Sequence, residues 1–217
     1  MKDQSVGLIH ATVQSIQPIA EAFRSVDPAV SLLHFADEGL LFTLQKEGQL
    51  TASNTRRLCD LIAKAESCGV GCIQLTCSAF NHKVEVLQPL FGTKIFRSDE
   101  AMLDEALNYE RVGIVSSVEE TPPVLIAYLK DKKPGIATRH VVDREAFKQL
   151  NDGNRHEHDK RILDLVCKLE HEVDVIVLSQ YSMAHVKPLA EKEVKTPVVS
   201  APLASAMRCQ AYLSGRF

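Results

Sequence analysis

The sequence predicts an α/β fold made of two pseudo-symmetric, doubly wound lobes with mostly parallel sheets, and three observations carry that prediction. Short apolar runs of five to seven residues alternate along the chain with longer stretches of helical periodicity, the pattern of βαβ units. The same order of runs then recurs about a hundred positions later. Over 217 residues, 45% are hydrophobic and 24% charged, which is ordinary for a globular chain and enough to bury a core in each of two domains.

Taken in order, "VGLIH" (6–10) reads as the first strand. "SIQPIAEAF" (15–23) follows as a helix, with Ile16, Ile19, Ala20 and Phe23 on one face. "VSLLHF" (30–35) is the next strand. "TRRLCDLIAKAESCG" (55–69) sets Leu58, Leu61, Ile62 and Ala65 on one side of a helix and stops at Gly69. Strands "VGCIQL" (70–75), "TKIFR" (93–97) and "RVGIVSS" (111–117) come after it. At a shift of 103, "GVGCIQLTCSAF" (69–80) lies on "EVDVIVLSQYSM" (172–183), pairing Val70 with Val173, Ile73 with Ile176 and Leu75 with Leu178. The same shift brings Thr93 of "TKIFRSDEAM" to Thr196 of "TPVVSAPLASAM", and "VGLIHAT" resembles "VGIVSSV" (112–118) within three positions of it. The expected division is a first lobe over 1–101, a second over 102–202, and a C-terminal helix, 203–217, returning to the first. The polar stretch 129–161 of the second lobe reads as an insertion, a loop and a solvated helix start capped by Asn151 or Asp152.

Composition narrows the partners. A net charge of −3 offers no electrostatic case for nucleic acid or an anionic membrane. The longest apolar runs, such as "VDVIVL", are far short of a bilayer span. "MKDQSVGLIHAT" lacks the apolar core of a secretory signal, so the six cysteines read as reduced thiols in a cytoplasmic protein. No metal site is expected. There is no CxxC, Gly69 and Gly71 break any helix between Cys68 and Cys72, and the two histidines of "HEH" (156–158) point to different helix faces. His140, His156 and His158 are read as surface residues, and Cys59, Cys68 and Cys72 as buried packing.

Chemistry is expected beyond the carboxyl ends of the strands, where ligands of parallel sheets collect. Cys77 lies two residues past a strand, and the repeat pairs it with Gln180. Two like lobes facing each other would set these positions on opposite walls of one cleft. His10 and Thr12, Asp37, Ser116 and Ser117, and Tyr181 and Ser182 occupy other strand ends. Small hydroxyls beside backbone amides suit a carboxylate. Thr12, Ser78, Ser116, Ser117, Thr121, Gln180, Tyr181 and Ser182 are therefore the candidate substrate-binding residues, and His10 and Asp37 candidate auxiliary acids or bases. Plain structural roles compete: His10 as a strand-end hydrogen-bonding group, Asp37 as a helix cap, and Thr12, Ser116, Ser117 and Thr121 as turn and cap residues.

"IHATVQSIQPI", "FADEGLL", "LTCSAF", "VGIVSSVEETPP" and "DVIVLSQYSMAHV", in this order, resemble the aspartate/glutamate/hydantoin racemase superfamily over most of the chain. The resemblance implies an enzyme without pyridoxal phosphate, flavin or metal, acting on a small carboxylate or amino acid, and a homodimer. It also implies that Cys77 is the proton-transfer group. An ordinary thiol is only about 3% ionised at neutral pH, so such a site needs a helix N-terminus and donors to lower its pKa and amides to hold the growing enediolate. The second cysteine of the family is replaced by Gln180, which has no proton to exchange near pH 7. Cys167 and Cys209 fall in helical stretches and do not replace it. Three readings stay open: a one-thiol isomerase, or a decarboxylase or lyase of the arylmalonate decarboxylase type; a racemase that recruits His10 or Asp37; and a binding protein without turnover.

Overall fold

A computed structural model describes residues 4–216. The first strands and helices are β1 (Ser5–His10), α1 (Ile16–Val26), β2 (Ser31–Ala36), α2 (Gly39–Glu47), α3 (Ala52–Ser67), β3 (Cys72–Leu75), α4 (Val84–Leu87) and β4 (Ile95–Phe96). They continue with α5 (Glu100–Ala106), β5 (Arg111–Ser116), α6 (Thr121–Lys132), β6 (Ala137–Val142), α7 (Arg144–Asn151), α8 (Arg155–Leu169), β7 (Val175–Leu178), α9 (Lys187–Glu193), β8 (Val198–Ser200) and α10 (Ala201–Leu213). Two compact units result, one from residues up to Ser98 together with the segment from Ser205, the other Asp99–Ala204. Among the described residues no helix is long and apolar enough to cross a membrane.

Each unit holds a four-stranded, all-parallel sheet, in the order β2-β1-β3-β4 and β6-β5-β7-β8. The connection leaves β1 toward β2 and then returns to β1's other side as β3, so the direction of winding reverses between β1 and β3. The same reversal falls between β5 and β7. Crevices at such reversals are where parallel sheets receive ligands.

The helix stripes read from the sequence are buried: Leu58, Leu61, Ile62 and Ala65 in α3, and Ile19, Ala20 and Phe23 in α1. The duplication extends from topology to single contacts. Asp37 N donates to His10 O at 2.9 Å, and Asp143 N does the same to Ser116 O at 3.0 Å. Asp37 Oδ1 takes the Gly39 amide at 3.0 Å, and Asp143 Oδ1 takes the Glu145 amide at 2.9 Å. Arg57 clamps the first carboxylate and Arg161 the second. Glu66 receives the Thr93 amide and Glu170 the Lys195 amide, each at 2.8 Å. Gly7 and Gly113 sit where a helix end crosses the central strand. A Cβ on Gly7 would stand 2.9 Å from Ala65 Cβ, and one on Gly113 3.0 Å from Val173 Cγ2.

The 129–161 stretch corrects the sequence reading. It contains β6, α7 and the first turns of α8, and α8 is preceded by Asn154 at its cap position rather than Asn151 or Asp152. β6 is an edge strand with most of its residues exposed or half-buried, so it lacks the apolar run that marks a central strand. His158 is fully buried rather than on the surface. It shares a helix face with buried Ile162, Leu165 and Val166, and its charge is avoided rather than solvated. Cys68 is exposed, not packed.

Candidate active site

The crevice of the first unit is built from the ends of β1 and β3. β1 finishes at His10, which is fully buried. Its Nδ1 lies 2.8 Å from Ser15 Oγ and 2.9 Å from Thr76 Oγ1, and these hydroxyls are 2.9 Å apart. Ser15 donates to Thr12 O at 2.8 Å and Thr76 to Ile9 O at 3.0 Å. With both hydroxyl protons directed at carbonyls, Nδ1 is the N–H of a neutral ring and Nε2 accepts from His34 Nδ1 at 3.0 Å. Burial, and secondarily the neighbouring His34, hold the His10 pKa down at about 3. His10 is thus a neutral strut that fastens the 12–15 turn to the end of β3.

Cys77 follows Thr76 immediately. Its backbone is extended (φ −127°, ψ 113°) and it leads into the short 3-10 helix Ser78–Lys83. Asn81 anchors that turn, donating to Ser98 Oγ and accepting from Ser98 N, both at 2.9 Å. Cys77 is half-buried, whereas Cys72 and Cys209 are enclosed. On its inner side Cys77 borders an apolar void of about 10 Å³, with Ile9, Leu40, Leu58 and Phe80 among its walls. That is the space of about one water, so a substrate has to approach from the exposed side. Thr12 is half-buried and caps the 13–15 turn, receiving the Gln14 amide at 3.4 Å. Ser78 is buried beside the thiol residue.

Asp37 has both carboxylate oxygens engaged. Arg57 Nη2 reaches Oδ1 at 2.5 Å and Arg57 Nε reaches Oδ2 at 2.8 Å, while Oδ1 also takes the Gly39 amide. The repetition of this arrangement at Asp143 and Arg161 supports a cap and clamp required by the fold rather than an acid.

In the second unit the equivalent rim lies at the ends of β5 and β7. Gln180 stands at the position of Cys77, extended (φ −113°, ψ 146°) and leading into the turn Tyr181–Val186. Its side chain is knitted into the loop after β5. Oε1 accepts from Ser117 N at 3.0 Å and from Ser117 Oγ at 3.4 Å, and Nε2 donates to Ser116 Oγ at 2.8 Å. Ser116 Oγ donates in turn to Val118 O at 2.7 Å and receives the Val118 amide at 3.1 Å. Thr121 is the first residue of α6 and buried; Tyr181 and Ser182 are buried in the turn. Ser179, the counterpart of Thr76, keeps a buried Oγ without a hydrogen-bond partner.

Ser15, Thr76 and His34 complete the His10 network and were not singled out in the sequence. Neither were Arg57, Asp143 and Arg161. The repeat carries a signal for the latter group, since Asp37 and Asp143 are 106 positions apart and Arg57 and Arg161 are 104 apart. Laying polar as well as apolar residues on the repeat finds them.

No protein-family model matches the chain, and no curated protein sequence matches it. Solved structures do. A glutamate racemase from Francisella tularensis subsp. tularensis SCHU S4, in complex with D-glutamate, is similar over 100% of this chain and 83% of its own, with 12% identity and a TM-score of 0.76. An aspartate racemase homologue from Pyrococcus horikoshii OT3 is similar over 99% of this chain and 100% of its own, with 17% identity and a TM-score of 0.75. An allantoin racemase from Klebsiella pneumoniae is similar over 98% and 89%, with 14% identity and a TM-score of 0.75. At these identities the likeness establishes a shared fold.

Proposed function

We propose that this chain, whose fold is that of glutamate, aspartate and allantoin racemases, is a cofactor-independent enzyme of the racemase and isomerase type, a member of the same superfamily. It moves a proton at the carbon beside the carboxylate of a small acid or amino acid. One observation carries the reading: Cys77 is a half-buried thiol placed at the winding reversal between β1 and β3, directly after a strand end that His10, Ser15 and Thr76 brace. In the step assigned to it, the Cys77 thiolate takes the α-proton and the C–H electron pair moves into the carboxylate as an enediolate. The thiol then returns a proton to that carbon. Carboxylate binding is assigned to the rim hydroxyls, Thr12 and Ser78 in the first unit and Ser116, Ser117, Thr121 and Ser182 in the second, together with Gln180 and Tyr181. The reading extends to a homodimer in the cytoplasm.

Gln180 favours a second reading. Its carboxamide oxygen already takes the Ser117 amide, the kind of donor that would otherwise meet an anion, and it offers no exchangeable acid. This supports one-thiol chemistry, as in a decarboxylase or lyase, or a non-catalytic small-carboxylate binding protein, over symmetric two-thiol racemisation.

Solvent-deuterium incorporation at the α-carbon, measured over a panel of small acids, tests both. Wild type is expected to exchange at least one acid, and Cys77→Ala to lose roughly 10²–10⁴-fold of that rate. Equal exchange by the two proteins removes Cys77 from the mechanism. Exchange without inversion of configuration favours the one-thiol reading. A carboxylate that raises the melting temperature with no exchange anywhere in the panel favours the binding protein.

A further inference from the structure

The second unit carries a partly buried histidine cluster that the repeat does not require. His158 Nδ1 lies 2.7 Å from Asp159 Oδ1, and His185 Nε2 lies 2.6 Å from the same oxygen. The two imidazoles are 5.5 Å apart between centroids. One donor atom from each of the three residues lies within 4.8 Å of the others. The buried stripes of α3 and α8 set their register: Leu58, Ile62 and Ala65 correspond to Ile162, Val166 and Leu169. In that register Asn54 and Thr55 stand where His158 and Asp159 do, and the 103-residue shift brings His82 to His185. Asn54 is satisfied by Leu40 O, Thr43 Oγ1 and Thr51 Oγ1, and His82 is exposed. The fold is therefore built once without this set.

A second observation bears on a ligand. His158 Nε2 is buried and has no hydrogen-bond partner, which native cores rarely tolerate.

We propose that His158, Asp159 and His185 bind a single divalent transition-metal ion. Two imidazoles and a carboxylate are a donor set suited to Zn²⁺ and to Fe²⁺. A tetrahedron with bonds of about 2.1 Å has edges of about 3.4 Å, which lies between the close contacts to Asp159 and the 4.8 Å limit of the set. Closing on an ion takes side-chain shifts alone. His158 Nδ1 and His185 Nε2 each direct a proton at Asp159 Oδ1, so to take the ion both rings shift to the other tautomer by proton exchange with solvent, or turn over so that the unprotonated nitrogen faces the metal. A groove of about 450 Å³, lined by Asp159 with His156, Asp164 and Cys167, gives entry. Arg155, with its Nε 3.9 Å from Asp159 Oδ2, is the cation the metal must outcompete.

Zinc is the probe. The full chain, stripped with EDTA, is titrated with Zn²⁺ by calorimetry and with Co²⁺ by visible absorption. Wild type is expected to take up one equivalent and to melt at a higher temperature with it. His185→Gln, altered at a partly exposed side chain, should keep its fold and lose binding roughly a hundredfold or more. Cys77→Ala should bind as wild type does, and the cobalt spectrum should lack sulfur charge transfer, which excludes a thiolate site. His158→Asn, borrowing the first unit's Asn54, should also lose binding; if it does not fold, His185→Gln decides. No uptake by wild type, or equal affinity in His185→Gln, overturns the proposal.

Discussion

His10 shows how much a single buried ring can organise. It sits at the end of the central strand, fully enclosed, with hydrogen bonds to Ser15, Thr76 and His34. Its pKa of about 3 against an ordinary 6.5 makes it a stability sensor. Below pH 6.5 an unfolded chain binds a proton at this ring that the folded chain refuses until about pH 3. The stabilisation is therefore complete above pH 6.5 and is lost as pH falls through that window. His34 and His158, whose pKa values burial also lowers, steepen the same slope. Urea midpoints between pH 7 and pH 4 should fall more gently for His10→Gln than for wild type, by up to about 1.4 kcal/mol per pH unit. An identical slope in the two would mean that the folded ring takes up its proton at the same pH as the unfolded one. The same neutrality argues against His10 as a proton donor at pH 7. His10 was visible in the sequence as a strand-end polar residue, but its charge state depends on its burial in the folded chain and on His34, 24 residues away.

Among the elements, the closeness of α3 to β1 and of α8 to β5 is set by two glycines. At Gly7 the obstacle to a side chain is Ala65 Cβ, fixed to the α3 backbone at 2.9 Å. At Gly113 it is the ends of Val173 and Leu169 side chains at 3.0 and 3.1 Å, which can rotate or tilt away. Gly7→Ala should therefore cost about 2–3 kcal/mol by forcing the helix outward, and Gly113→Ala about 1 kcal/mol; chemical denaturation of both variants checks the order. Most elements were legible because central strands are continuous apolar runs and α1 and α3 carry apolar stripes. β6 and α7 were not, since an edge strand half in water and a short polar helix leave no such runs. The Arg57–Asp37 and Arg161–Asp143 pairs hold the entry to the helices after β2 and β6. With their side chains partly exposed, each contributes no more than about 1 kcal/mol, so their value is in placing the chain.

On the scale of the whole molecule, the chain is a repeat closed by an exchange of its last helix. α10 begins in the second unit and ends in the first. Gln74, buried in β3, receives the Cys209 thiol at 3.3 Å and donates to Leu75 O and Arg97 O. Phe96 meets Tyr212 edge-on at 5.4 Å. Truncation after Ala204 should uncover Gln74 and Phe96 and destabilise the protein by more than about 4 kcal/mol in urea, whereas truncation after Leu213 should be tolerated; similar stability of both would remove α10 from the core of the first unit. The sequence by itself determined the periodicities, and with them the parallel sheets, the duplication and the place of Cys77 at a strand end, because burial on one or both faces writes itself into residue order. Only tertiary structure decided which polar groups are free. Gln180 is held by Ser117, 63 positions back, and His158 meets His185 through Asp159. Hydrogen bonds of that span depend on folded geometry and leave no period in the chain.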